Sequence, residues 1–329
     1  MIRVAVLGAG RIGKIHAANV ARNSRCRLVA VADAMPGAAT ALALQYGAEA
    51  STDAMALAAR QDIDAIVIGT PTDTHVDLTL AGARAGKAVL CEKPIDLDIR
   101  KADAAVAEIE KLGAKVMLGF NRRFDPSAAA MKRAILAGAV GDVHHVIITS
   151  RDPSPPPATY TNSGGIFRDM TIHDFDMARF LLGEEPAEVM AMASVLIDPA
   201  IGKNGDYDTL MVILQTASGK QCHINNSRKA AYGYDQRMEV FGSKGMVQNG
   251  HVRASTLRGF TATETEVQEP LLNFFLERYE AAYRNELNAF IDAVADGKPL
   301  PVNARDGRQA LRIADAALES AQTGKRVKI

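Results

Sequence analysis

Over the first 120 residues, short apolar runs alternate with alanine-rich stretches whose apolar positions recur at helical spacing. The runs at residues 3–7, 27–32, 65–69, 88–91 and 115–119 are predicted strands, with turns marked by Gly47, Gly86 and Gly113. Strand and helix in alternation predict βαβ units, and hence a doubly wound parallel sheet with helices on both faces. The pattern then changes. One predicted helix, residues 127–137, leads into longer alternating runs at 143–149, 188–197, 209–216, 220–227, 237–242 and 245–248. Short polar turns such as Ala217-Ser218-Gly219-Lys220 join consecutive runs, which predicts a large, open, mostly antiparallel sheet. Two helices close the chain. The first carries a stripe of Phe275, Tyr279, Tyr283, Leu287, Phe290 and Val294, which reads as core, and the second spans residues 308–322. The fold class is therefore α/β: a Rossmann domain over residues 1–120, then an α+β domain over residues 121–329.

One segment of the second half carries candidate chemistry. If residues 169–176 are helical, Asp169, His173 and Asp176 share a face, with Ile172, Phe175, Phe180 and Leu181 turned inward. A carboxylate bonded to an imidazole fixes its tautomer and raises its basicity, as a general base near neutral pH requires. The same spacing also suits an ordinary amphipathic helix. As metal ligands the three lack a further partner placed by sequence, and no metal is expected.

A second signature lies upstream. Gly8-Ala9-Gly10-Arg11-Ile12-Gly13 follows the first predicted strand and opens a helix. Glycines at this spacing permit a tight turn, let a pyrophosphate approach the backbone and let helix and strand pack closely. The helix N-terminus then offers N–H groups to the phosphates. Asp33 ends the second predicted strand, where a carboxylate holds ribose hydroxyls and repels a 2′-phosphate, so NAD is favoured over NADP. Two further segments follow predicted strands: Thr70-Pro71-Thr72-Asp73-Thr74-His75 and Cys91-Glu92-Lys93-Pro94. A lysine at such a strand end donates to a substrate hydroxyl and stabilises developing alkoxide. The bland alternatives are a solvated Lys93 and a His75 that caps a helix.

Composition narrows the class. Lys+Arg and Asp+Glu both number 38, so no excess charge points to nucleic acid or an anionic membrane. Three scattered cysteines, Cys26, Cys91 and Cys222, show no metal spacing or disulfide framework. The chain enters a strand at Ile2, which leaves no room for a signal peptide, and the cytoplasm is the expected location.

These motifs, with Gly119-Phe120-Asn121-Arg122-Arg123-Phe124, Gly164-Gly165-Ile166-Phe167-Arg168-Asp169 and Tyr279-Glu280-Ala281-Ala282-Tyr283, resemble the Gfo/Idh/MocA oxidoreductase family over nearly the whole chain. Ser150-Arg151-Asp152-Pro153 and Tyr232-Gly233-Tyr234-Asp235 narrow the likeness to members that oxidise inositol. The resemblance implies Lys93, Asp169 and His173 as the catalytic set, with His173 the general base. It implies NAD held by Gly8, Gly10, Arg11, Ile12, Gly13, Asp33, Thr70, Pro71, His75, Glu92 and Lys93. Arg123, Asp152 and one of Tyr232 or Tyr234 would join Lys93, Asp169 and His173 around a polyol. It further implies oxidation of myo-inositol to a 2-keto product in inositol catabolism, by a homotetramer built through the open sheet. Other polyols or aldoses, a non-catalytic NAD-sensing regulator and a glycosidase using bound NAD are the alternatives.

Overall fold

The computed structural model describes residues 1–157 and 163–329. Its elements begin β1 (Ile2–Leu7), α1 (Arg11–Arg22), β2 (Cys26–Ala32), α2 (Pro36–Gln45), β3 (Glu49–Ser51), α3 (Ala54–Ala59) and β4 (Ala65–Ile68). Then come α4 (His75–Arg84), β5 (Ala88–Glu92), α5 (Ile99–Leu112), β6 (Val116–Gly119), α6 (Pro126–Leu136), β7 (Val143–Arg151), α7 (Gly165–Asp169) and α8 (Ile172–Leu182). Strands β8 (Pro186–Ser194), β9 (Thr209–Thr216), β10 (Gln221–Ser227), β11 (Asp235–Gly242) and β12 (Gly245–Gln248) follow, with α9 (Pro199–Lys203) after β8. A small ribbon, β13 (Arg258–Gly259) with β14 (Val267–Gln268), precedes α10 (Phe275–Arg278), α11 (Glu280–Ala295), α12 (Ala304–Thr323) and β15 (Val327–Lys328).

The chain divides into two compact units. Unit 1 comprises Met1–Phe124 and Ala282–Leu311, and unit 2 comprises Asp125–Ala281 and Arg312–Ile329. A linear division at residue 120 misses the return of residues 282–311 to the first unit.

Unit 1 holds a six-stranded parallel sheet ordered β3-β2-β1-β4-β5-β6 among the described residues. Val4, Ala5, Val6 and Leu7 are all fully buried, as expected of strands covered on both faces. The order reverses between β1 and β4, and ligands of such sheets bind beyond the C-terminal strand ends at that point. Strand β3 escaped the sequence reading because it is three residues long and mostly exposed.

Unit 2 holds a sheet ordered β12-β11-β7-β10-β9-β8-β15. Its neighbours pair antiparallel except β7 with β10, which run parallel. Alternation sets its faces: Leu210, Val212 and Leu214 of β9 are buried while Met211 and Ile213 are exposed. The buried face packs with Met131, Phe175, Leu181 and Ile313 into one core. Fully burying a side chain such as Phe175 or Leu181 contributes about 1.5–3 kcal/mol. No described helix is long and apolar enough to cross a membrane.

Two expected helices are interrupted. The one predicted through residues 169–176 is α7 and α8, separated at Met170 and Thr171. There the Thr171 N–H donates to the Ile166 carbonyl (2.9 Å) and the His173 N–H to the Met170 carbonyl (3.3 Å), so the regular ladder fails. The Thr171 hydroxyl is drawn instead to Asn226 Oδ1 on β10 (2.6 Å). The stripe from Phe275 breaks at Tyr279, whose hydroxyl donates to Gln236 Oε1 (3.2 Å) and whose ring meets Tyr234. Tertiary contacts override local periodicity at both places.

Helix α1 lies so close to the turn after β1 that a Cβ on Gly13 would fall 1.8 Å from the Gly8 carbonyl oxygen. Gly13→Ala is expected to cost about 1–3 kcal/mol as the helix shifts. Thermal melts should show a lower Tm, and titration with dinucleotide a loss of affinity.

Candidate functional site

In unit 1 the candidate residues gather on loops after β1, β2, β4 and β5. Gly8 takes a φ of 100°, and a Cβ there would lie 2.5 Å from the Gly69 carbonyl oxygen. The turns after β1 and β4 thus meet backbone to backbone where the strand order reverses. A Cβ on Gly10 would meet nothing within 4 Å, so the loop is open where a pyrophosphate would approach. Helix α1 begins at exposed Arg11 without a side-chain cap, followed by Ile12 and Gly13. The first N–H groups of a helix lack intrahelical acceptors and favour anions. Asp33 accepts from the Ala9 N–H at Oδ2 (2.7 Å) and from the Met35 N–H at Oδ1 (2.8 Å), so its carboxylate also braces the glycine loop. These residues fit a bound dinucleotide.

Thr70 and Pro71 lead from β4 into α4, and the Thr74 hydroxyl donates to the Pro71 carbonyl (2.8 Å). His75 opens α4 and is buried. Its Nδ1 lies 2.7 Å from the Pro94 carbonyl oxygen and its Nε2 lies 3.0 Å from that of Thr70. A carbonyl oxygen only accepts, so both nitrogens carry hydrogen and the ring is an imidazolium. Burial alone would push it down; the Cys91 sulfur and the two carbonyls outweigh burial and raise it to about 9. The charged ring ties the segment after β4 to the one carrying half-buried Lys93.

Glu92 ends β5 with its carboxylate turned inward, Oε1 lying 2.7 Å from buried His16 Nε2. Glu286 on α11 joins them, and ligand-type atoms of the three all lie within 4.8 Å of one another. Burial first, and the Glu92 charge second, push the Glu286 carboxyl well above its usual range. Arg123 follows β6 and donates from Nη2 to Asp306 Oδ1 (3.1 Å).

In unit 2 the candidates gather at the C-terminal ends of β7 and β10. Asp152 directly follows β7, its N–H donating to the Ser227 carbonyl (2.9 Å) and its carbonyl accepting from the Ala230 N–H (2.7 Å). Arg228 directly follows β10 and is buried; its Nη1 lies 3.5 Å from Asp169 Oδ2 and its Nη2 lies 3.8 Å from Asp206 Oδ2. His173 occupies the first turn of α8, half-buried, between two anchored neighbours. Thr171 bonds Asn226, and the Asn226 amide donates to Asp174 Oδ2 (2.8 Å) and to the Ser150 carbonyl (3.2 Å). Asp152, Asp169 and His173 are thereby tied to the same end of the sheet. Asp176 lies 3.4 Å from Arg179 Nη1 within its own helix, as expected of a structural carboxylate. Of the two tyrosines, exposed Tyr232 donates to Asp235 Oδ2 (2.6 Å) and accepts from Arg151 Nη1 (2.8 Å). Tyr234 is buried among Phe274 and Tyr279.

Sequence reading missed His16, Asp174, Asn226, Arg228 and Glu286. Their partners lie on other elements, so spacing along the chain carries no signal. The one hint was His16 itself, a titratable residue in the inner stripe of α1 with Gly13, Ala17 and Val20.

Comparison with known proteins shows the family and the fold. Residues 2–120 match the model of an oxidoreductase family with an NAD-binding Rossmann fold, and residues 128–248 match the GFO/IDH/MocA C-terminal domain. The chain is 56% identical to an inositol 2-dehydrogenase of Rhizobium meliloti, covering 100% of this chain and 99% of that protein. A crystal structure of a myo-inositol dehydrogenase from Corynebacterium glutamicum superposes with a TM-score of 0.97 at 48% identity, covering 100% of this chain and 99% of that one. The scyllo-inositol dehydrogenase of Lactobacillus casei, with bound NAD(H) and scyllo-inositol, superposes with a TM-score of 0.93 at 30% identity, covering 100% and 99%.

The charge on His75 has a measurable consequence. A histidine raised from 6.5 to about 9 stabilises the fold fully below about pH 6.5, and that contribution is lost as pH rises through 9. Melts of wild type and His75→Gln between pH 6 and 10 should show a wild-type advantage that shrinks as pH increases. A constant difference would mean a neutral ring.

Proposed function

The chain belongs to the Gfo/Idh/MocA family of NAD-binding oxidoreductases, and from that membership we propose that it oxidises myo-inositol to 2-keto-inositol. The observation that carries the substrate is the likeness to inositol 2-dehydrogenases along the entire chain. Bound NAD supplies the hydride acceptor. The protein's own groups do the rest. His173 takes the hydroxyl proton as the carbon gives up hydride, and Asp169 orients the substrate and the imidazole. The buried Arg228 supports this role, because its Nη1 lies 3.5 Å from Asp169 Oδ2 and gives that carboxylate a fixed neighbour. Lys93 donates to the reacting oxygen and stabilises its alkoxide character. Asp152, Arg123 and one of Tyr232 or Tyr234 pair the remaining hydroxyls. A neutral polyol suits a set rich in hydrogen-bonding groups whose charges are already paired among themselves, as in Arg123 with Asp306 and Arg151 with Asp235.

The assembly in this reading is a homotetramer. The exposed sheet face of unit 2 supports it, since Met190 lies opposite Ile213, Met192 opposite Met211 and Phe241 opposite Met246, all exposed. Apolar pairs in such a row favour cover by another copy. The three cysteines are free and buried, which accords with the reducing cytoplasm of this reading.

Absorbance of NADH across myo-inositol, scyllo-inositol and glucose tests the reading. Myo-inositol with NAD⁺ should be fastest; preference for scyllo-inositol would move the substrate, and silence from every polyol with NAD⁺ and NADP⁺ would sink the proposal. His173→Ala should lower kcat by about 10²–10⁴-fold while NAD⁺ affinity survives. If both vanish together, His173 is holding the fold.

A further inference from the structure

Unit 1 buries three titratable side chains against one another, and only Glu92 belongs to a sequence motif. His16 and Glu286 are both 0% exposed. His16 Nε2 donates to Glu92 Oε1 at 2.7 Å, while Nδ1 has no partner among the described residues. Neither oxygen of Glu286 has a hydrogen-bond partner there. Among the described residues Glu92 from β5 and His16 from α1 face Glu286, and the ring of Tyr283, on the same helix as Glu286, stands edge-on to His16 at 5.9 Å.

Two ionised carboxylates side by side in a buried pocket, with one N–H donor that serves Glu92 alone, would be strongly disfavoured. One more proton relieves the conflict, and it has two places to go. On His16 it would create a second N–H, at Nδ1, with no acceptor. On Glu286 it neutralises a carboxylate that has no donor at all, the larger of the two costs. A metal ion fits poorly, because two ligands about 2.1 Å from a tetrahedral ion stand about 3.4 Å apart. The His16–Glu92 contact is a hydrogen bond.

We propose that Glu286 is held as a neutral carboxylic acid and is a positioning residue for Lys93. It keeps the pocket at one net negative charge, so that Glu92 stays turned onto His16. Lys93 directly follows Glu92 at the end of β5, so the anchoring of Glu92 fixes the backbone from which Lys93 leaves the strand. Burial and the nearby Glu92 charge both favour the neutral form of Glu286. The role rests on the dehydrogenase reading, since only there does Lys93 act on a reacting oxygen. Raising the pH ionises Glu286, sets two like charges against each other and loosens the segment before Lys93. The sign follows from a folded value above the unfolded one of about 4.3: the stability from binding this proton is full below that value and is lost as pH rises through the folded one.

The test compares full-length wild type with Glu286→Gln, which is neutral at every pH. Infrared spectra of protein carrying ¹³C-labelled glutamate should show a protonated carboxyl at neutral pH in wild type and none in the variant. The Tm of Glu286→Gln should gain on that of wild type as pH rises above the unfolded value of about 4.3. The alkaline fall in kcat should be weaker in Glu286→Gln than in wild type. A wild type without the protonated band, a constant Tm difference or stoichiometric metal lost in the variant overturns the neutral acid; an identical alkaline limb overturns the positioning role. Should Glu286→Gln fail to fold, the wild-type band decides alone. If wild type makes no NADH, the dehydrogenase reading falls while the band and the melts still report on Glu286.

Discussion

The placement of the candidate residues of unit 2 depends on one parallel pair of strands in a sheet otherwise built antiparallel. Because β7 and β10 run the same way, Arg151 and Ser227 reach the same edge as register partners. The chain leaving each strand then emerges beside the other, which delivers Asp152 from one and Arg228 from the other. Asn226, one residue before the end of β10, joins Thr171, Asp174 and the Ser150 carbonyl. A buried hydrogen bond contributes about 0.5–1.5 kcal/mol net, and leaving its partner unmet costs more. That asymmetry explains how a helix can break at Met170 and Thr171 yet keep His173 fixed.

Unit 1 solves a related problem for Lys93. A lysine side chain carries about 2 kcal/mol of rotamer entropy and is useful only from a rigid base. Its neighbours supply that base through two buried histidines in different states. His16 donates from one nitrogen to Glu92, and His75 donates from both to the carbonyls of Thr70 and Pro94. The same side chain type thus meets a carboxylate through one nitrogen on one side and two carbonyls through both nitrogens on the other. The number and kind of acceptors each ring meets makes the difference.

Much of this was legible in the sequence, and the gaps share a cause. The strands of unit 1 and the glycine loop could be read because each is specified by residues a few positions apart. The alternation in β9 likewise announced its two faces. Strand β3 could not be read, since Glu49–Ser51 offers neither length nor burial. The break before Ile172 was hidden because the partner of Thr171 there, Asn226, lies far along the chain. Glu92 stood in a recognisable motif, but its partner His16 and the third member Glu286 lie on separate helices. Sequence shows what repeats locally. It does not show which distant groups must share a proton.

The return of residues 282–311 to unit 1 also bears on how the protein is made. Translation completes the six strands of the first sheet long before α11 is synthesised, and domains tend to fold as they emerge. Until α11 arrives, the space beside His16 and Glu92 stays open to water, where a carboxylate carries no burial cost. A ribosome stalled in the second unit would therefore hold a nucleotide-binding sheet with a hydrated hole beside its lysine. Drying that hole is among the last acts of the nascent chain.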